Sequence, residues 1–236
     1  DGFARALLYM EEQDGRKEPA VSEKRREFLS IISQESQRLS KLIEDVLDLS
    51  EAESSYRRQA PEQFSAKALF EESLASLTDP QPFPEVTVRL TPAGAGPSIF
   101  ADRASMIQVV RELLINARKF SGAPEIVLGA ELVSIRRRGT AQAPGSVMRN
   151  GAFSAALLYV EDQGVGIAPE DLRHIFEKFH RGERAVSSAP GMGLGLSIAR
   201  TLVSQNDGRI WVDSSPGSGT TFYMLLPSHP PGDTRP

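Results

Sequence analysis

The sequence predicts a two-part α/β chain, a long amphipathic helix followed by a domain of helices layered on a sheet, and three observations predict it. In SEKRREFLSIISQESQRLSKLIEDVLDLSEAES (22–54), Phe28, Ile32, Glu35, Leu39, Leu42, Val46 and Leu49 recur at spacings of four and three, a heptad seam with one polar intrusion. SMIQVVRELLINARKF (105–120) and LSIARTLVSQ (196–205) are apolar at helical spacing. EIVLGAELV (125–133), AFSAALLYV (152–160) and the alternation of Phe222, Met224 and Leu226 read as strands.

The elements follow in order. GFARALLYMEE (2–12) reads as the end of a helix, broken at Gly15 and Pro19 before the heptad helix begins. Such a seam wants a partner helix. In 105–120, Ile107, Val110, Leu113, Leu114 and Ala117 fall on the buried side, while Glu112, Asn116 and Lys119 recur along one edge. A carboxylate, an amide oxygen and an ammonium are thereby aligned, suited to a base, a Mg2+ ligand and a phosphate contact, although a solvated helix face gives the same pattern.

LLYV (157–160) reads as a buried strand, with Asp162 just beyond it and ahead of the Gly164-Val165-Gly166 turn. A carboxylate beside backbone bared by glycine can accept a hydrogen bond from an exocyclic amine such as that of adenine. Gly191, Gly193 and Gly195 run into the helix in which Leu196, Ala199, Leu202 and Val203 share a face. Glycines there let backbone approach phosphate oxygens, and the helix's unpaired amides and positive dipole end favour an anion.

Four of these segments, ELLINARKF (112–120), VEDQGVGIAPEDL (160–172), IFEKFHRG (175–182) and GMGLGLSIAR (191–200), resemble in order the N box, first glycine box, F box and second glycine box of bacterial sensor histidine kinases. That catalytic domain belongs to the superfamily shared with gyrase, the Hsp90 chaperones and MutL. The ending, from GRIWVD (208–213) through TTFYMLLP (220–227), resembles the family's closing hairpin, and REFLSIISQESQRLSKLIEDVLDLSEAE the second helix of its dimerisation and phosphoacceptor hairpin.

The resemblance implies ATP and Mg2+ as cofactors. Asn116 would ligate the metal, Lys119 would contact phosphate, Asp162 would bind the adenine amine, and Gly164 and Gly166 would shape the nucleotide floor. Phe120, Ile167 and Leu194 would line the nucleotide, and Thr220 would help to hold adenine. Gly191, Gly193, Gly195 and Leu196 would frame the triphosphate, with Phe176 and Phe179 as buried anchors of the lid and Arg181 near the phosphates. Glu112 would be the general base toward an attacking imidazole, so Glu112 and Lys119 are the candidate catalytic pair. The lid candidate is RGERAVSSAPGMGL, 181–194.

The fold so implied is an α+β sandwich over 62–228, with helices on one face of a mixed sheet, preceded by a partial helical hairpin over 1–58 that pairs in a homodimer and followed by a disordered tail, 229–236. Beginning at Asp1, the chain reads as a piece of a longer protein. The family's phosphorylated histidine lies on the hairpin's first helix, and the histidines here are His174, His180 and His229, none on the hairpin. The expectation is a core that binds ATP without phosphorylating itself in cis; its parent would pass the phosphoryl group to a response-regulator receiver domain. Two departures stand out: SIRRRGTAQAPGSVMRNG (134–151) is longer than the usual loop, and Asn206-Asp207-Gly208 replaces the family's His-Gly-Gly. Solvated decoration is the expected role of Arg136, Arg137 and Arg138.

Composition sets wider bounds. The chain has 236 residues, 40% hydrophobic and 25% charged, as in ordinary globular proteins. A net charge of −4 gives no nucleic-acid footprint, and the absence of cysteine excludes thiol catalysis and disulfides. No apolar run approaches the roughly 18 residues of a membrane span, so a cytoplasmic location is expected, with any anchor in a parent region outside this chain. The rival readings are a nonenzymatic adaptor or pseudokinase, which loss of Glu112, Asn116 or Asp162 would have favoured, and another ATPase of the superfamily, which has no use for an F box or heptad hairpin.

Overall fold

The computed structural model describes residues 26–36, 39–40, 43, 47, 59–77, 85–91, 93–121, 125–136, 152–180 and 192–230. Residues 2–12, the lid stretch 181–191 with Arg181 and Gly191, Arg137 and Arg138, and the tail from 231 lie outside them.

Helix α1 covers residues 26–36, and the described residues at 39, 40, 43 and 47 are also helical. Of the heptad seam, Phe28, Ile32 and Leu39 are exposed, as are Ile31, Ile43 and Leu47; Leu42, Val46 and Leu49 lie outside the described residues.

The second part runs β1 (Glu62–Ser65), α2 (Ala66–Ala75), β2 (Glu85–Thr91), β3 (Ser98–Ala101), α3 (Arg103–Phe120), β4 (Glu125–Arg136), β5 (Ala152–Asp162), α4 (Gly195–Gln205), β6 (Arg209–Ser214) and β7 (Thr220–Pro227). Five strands form one sheet in the order β2-β4-β5-β7-β6. β2 is parallel to β4 and the other neighbours are antiparallel, so the sheet is mixed as expected. β1 and β3 make a separate antiparallel pair with Phe64 opposite Ile99. β4 runs on through Arg136, opposite Ala152, so residues 134–136 belong to the strand rather than to the long loop.

The helices cover one face of the large sheet. Leu69 and Phe70 of α2, Met106, Val110, Leu113 and Leu114 of α3, and Ile198 and Leu202 of α4 are buried with Ile126, Leu128, Leu158, Val160, Phe222 and Met224 of the strands. Each such side chain contributes about 1.5–3 kcal/mol of transfer free energy. On the opposite face a cross-strand row, Trp211–Tyr223–Tyr159–Gly129, spans four strands. Trp211 stacks on Tyr223 at 5.4 Å, and a Cβ at Gly129 would sit 1.9 Å from Cζ of Tyr159, so the ring lies where a side chain would be.

Local sequence sets the helix ends. The Asp102 carboxylate caps α3, accepting from the Ser105 amide at 3.3 Å and the Ser105 hydroxyl at 2.9 Å. Arg118 and Lys119 occupy its last turn, where cations complement the dipole. α4 ends with Asp207 at φ +55° and the Gly208 amide donating to the Val203 carbonyl at 3.0 Å, a Schellman closure built on Asp. Asn206, where the resemblance led us to expect histidine, accepts from the Asp102 amide at 2.7 Å and donates to the Leu202 carbonyl at 2.9 Å. The substitution thus ties the end of α4 to the start of α3.

Candidate nucleotide-binding site

The site is assembled where β5 ends and β7 begins, beside the C-terminal half of α3 and the start of α4. Asp162 is the last residue of β5 and pairs directly with Thr220, the first of β7. Both are buried. The strand ladder therefore brings together two residues that the sequence separates widely, the expected adenine contacts. One carboxylate oxygen of Asp162 accepts from the Gly164 amide at 2.8 Å. Burial pushes this carboxyl above its ordinary range; the amides of Gly164 and Thr220 oppose the shift and the charge of Glu161 adds to it.

The Gly164–Gly166 turn is shaped by close approach. A Cβ at Gly164 would fall 2.3 Å from the Phe120 carbonyl, and one at Gly166, which adopts φ +69°, 2.0 Å from the Ser215 carbonyl. The Val165 amide donates to the Phe120 carbonyl at 3.3 Å, pinning the turn to the end of α3. Beyond it, the Ile167 amide donates to the Ser214 hydroxyl at 2.9 Å, and that hydroxyl lies 2.8 Å from the Gly219 carbonyl and 3.0 Å from Oγ1 of Thr220.

Sequence reasoning missed two of these groups. Ser214 carries no signal, being one of several serines between Asp213 and Gly219. Gly219, at φ +82°, stands where a Cβ would meet the Asp162 carbonyl at 2.1 Å; its place just before the Thr220 strand was the available hint.

Glu112, Asn116 and Lys119 lie along α3 as the spacing predicts. The Glu112 side chain is mostly buried, with Oε1 3.6 Å from Nη2 of Arg111, Asn116 is half-buried and Lys119 exposed. Leu194 is buried at the start of α4, its carbonyl accepting from the Ile198 amide and the Ser197 hydroxyl at 2.9 and 2.8 Å, and Leu196 packs on the core. Gly193, at φ +73°, accepts from the Phe179 amide at 3.2 Å, so both described ends of the lid meet in one contact.

The F box divides. Phe176 packs on the core with its ring edge toward Phe222, 6.3 Å away. Phe179 is 59% exposed with φ +63°, which corrects the expectation of two buried anchors. Its backbone adopts a conformation rare for a non-glycine residue and carries the amide that donates to Gly193. The F-box histidines are engaged locally, His174 with Glu177 at 2.9 Å and His180 with Asp171 at 3.5 Å.

No group of three or more metal-ligating side chains is found among the described residues. Asn116, half-buried on α3, carries one amide oxygen, a donor of the kind Mg2+ takes when phosphates and water complete its shell.

A family model described as "Histidine kinase-, DNA gyrase B-, and HSP90-like ATPase" matches residues 101–230, and the chain belongs to this family. A second, the "His Kinase A (phospho-acceptor) domain", matches residues 2–55, and the pair places the chain among the sensor histidine kinases. Drug sensory protein A of Synechocystis sp. is 33% identical over 205 residues, covering 86% of this chain and 29% of that protein. The sensor-like histidine kinase SenX3 of Mycobacterium bovis is 31% identical over 208 residues, covering 88% and 46%. The chain thus spans less than half the length of either relative. Among solved structures, the mycobacterial sensor histidine kinase MprB aligns with a TM-score of 0.52 at 27% identity, covering 70% of this chain and 97% of that one. Full-length ShkA in complex with AMPPNP aligns with a TM-score of 0.62 over 86% of this chain and 39% of that one; at 23% identity it speaks to the fold alone. No helix among the described residues is long and apolar enough to cross a membrane.

Proposed function

We propose that this chain is the ATP-binding core of a protein-histidine kinase that moves the γ-phosphoryl group of ATP to a histidine and from there to an aspartate of a response-regulator receiver domain. The observation that carries the reading is the buried Asp162 carboxylate paired across the ladder with Thr220 and flanked by glycine backbone. A desolvated carboxylate with a fixed partner at a strand end is equipped to select an exocyclic amine, and Thr220 to support it. Gly164, Gly166, Ile167 and Phe120 form the wall beside the base. Lys119, Arg181, Gly191, Gly193 and the start of α4 at Leu194–Leu196 serve the phosphates.

Asn116 would hold Mg2+, which supplies charge neutralisation on the phosphates when bound. Transfer forms a bond between an imidazole nitrogen and the γ-phosphorus and breaks the bond to the β,γ-bridging oxygen, which leaves with ADP. Glu112 takes the proton from the imidazole's other nitrogen. Most of the acceleration comes from position and charge, as in phosphoryl transfer generally.

The acceptor is a histidine outside this chain's hairpin region, since residues 1–58 contain none. The exposed apolar stripe on α1 supports pairing of that region in a homodimer, 1–58 forming the hairpin part and 62–228 the catalytic part. Catalysis on this scheme takes place in the cytoplasm.

The test supplies γ-labelled ATP and Mg2+ to the full-length kinase and to this chain. The expected outcome is acid-labile, base-stable label on the former and none on the latter. Acid-labile label on residues 1–236 alone would overturn the assignment of the acceptor, and no label on either would overturn the kinase reading.

A further inference from the structure

Gly195 is the first residue of α4, preceded by Leu194, which makes no side-chain cap. It does not adopt a positive φ, unlike Gly193 at φ +73°, so its backbone suits any residue. Alanine is the better helix former, and propensity alone would prefer it here. What a side chain here would meet is the end of another one. The three atoms nearest to a Cβ built at Gly195 all belong to Glu112: Oε2 at 2.5 Å, Cδ at 3.4 Å and Cβ at 3.9 Å. Real Cβ atoms do not approach an oxygen so closely, so any substitution displaces the carboxylate.

We propose that Gly195, beyond its place beside the phosphates, is a positioning residue for Glu112. The bare α-carbon lets the carboxylate lie against the first turn of α4, while Arg111 stands 3.6 Å from its other oxygen. Oε2 is thereby held against the first turn of that helix. Glu112 is thus held between two helices instead of sweeping the rotamers open to a glutamate at a helix surface. The inference rests on the proposal that Glu112 is the base. It adds that the second glycine box contributes to proton transfer through one carbon's worth of space.

The test is a rescue measured in the full-length kinase, with kcat and KM for ATP taken separately. Gly195→Ala adds one carbon, and Glu112→Asp removes one from the facing side chain. Expected are a fall in kcat of about tenfold or more for Gly195→Ala, with KM for ATP changed less than about threefold, against the ~100-fold or greater scale of a general base. In the Glu112→Asp background, adding Gly195→Ala should cost less than about threefold in kcat, because the space is already open. An equal cost in both backgrounds, or a loss carried by KM, would overturn the positioning role and leave Gly195 a nucleotide contact. If Gly195→Ala unfolds the domain, the same coupling is read from melting temperatures: recovery on adding Glu112→Asp supports the contact, and no recovery refutes it. Glu112→Gln keeps the two ideas apart. If it leaves kcat intact, the base assignment fails whatever the rescue shows; if it abolishes turnover while the rescue fails, only the role of Gly195 is lost.

Discussion

Replacing Ser214 with alanine tests whether the nucleotide wall is held by the hydroxyl that bridges three segments. That hydroxyl accepts from the Ile167 amide at 2.9 Å and lies 2.8 Å from the Gly219 carbonyl and 3.0 Å from Oγ1 of Thr220. It has one proton. With that proton on the Gly219 carbonyl, the contact to Thr220 must be donated by Thr220. Ser214→Ala removes all three bonds and leaves the Ile167 amide without this acceptor, a loss of about 1–3 kcal/mol for a partly buried donor. Gly219 and Thr220 can regain water at the site's edge, so the expected total is near the middle of that range, about 2 kcal/mol. Denaturant unfolding of the chain reads this as a lower midpoint with an unchanged slope. Because Thr220 sits opposite Asp162, nucleotide affinity should also fall about tenfold, equivalent to ~1.4 kcal/mol. Ser214→Thr retains the hydroxyl and should recover most of both losses. Stability within about 0.5 kcal/mol of the parent, together with unchanged affinity, would refute the reasoning, since that is the range of a surface substitution with no structural role.

Three further outcomes are expected. The carboxyl of Asp162 is raised mainly by burial, so the folded state holds its proton more tightly than the unfolded chain. Its linkage therefore favours the fold fully below the unfolded pKa and is lost as pH rises through the raised value. Binding of adenine, which uses the carboxylate, runs the other way and should weaken as pH falls through that value; titrations across acid pH should show this limb, and Asp162→Asn should lack it. Gly166→Ala forces φ +69° on an L-residue and drives a methyl into the Ser215 carbonyl, costing about 2 kcal/mol or more and abolishing nucleotide binding, as read by melting and calorimetry. Asn206→Ala deprives the Asp102 amide of its acceptor and should cost about 1–2 kcal/mol in denaturant unfolding with little change in nucleotide affinity.

The faces of α3 and α4 were legible because burial imposes a helical period, and β5 and β7 because apolar runs and alternation mark them. Asp162 could be picked out as a strand-end carboxylate before glycine, and Glu112, Asn116 and Lys119 as a row on one helix edge. What could not be read was anything fixed by register. The pairing of Asp162 with Thr220 depends on which residues of β5 and β7 align, and the parallel docking of β2 on β4 depends on packing that no local pattern encodes. Gly195 read as one more glycine of a phosphate loop because its reason, the Glu112 carboxylate, comes from another helix. Phe179 misled for the opposite cause: an aromatic ring in an apolar motif reads as core, yet the backbone turns at that residue and carries the ring outward.

We take the end of β5, the start of β7 and α3 to form an adenine-selective, Mg2+-assisted nucleotide site. Calorimetric titration of a nonhydrolysable ATP analogue into the chain, with and without Mg2+ and with Asp162→Ala alongside, tests it most directly. Expected is binding strengthened by Mg2+ and lost in Asp162→Ala, a variant whose melting must remain cooperative. Absence of binding to the parent chain, or equal binding by a folded Asp162→Ala, would contradict it.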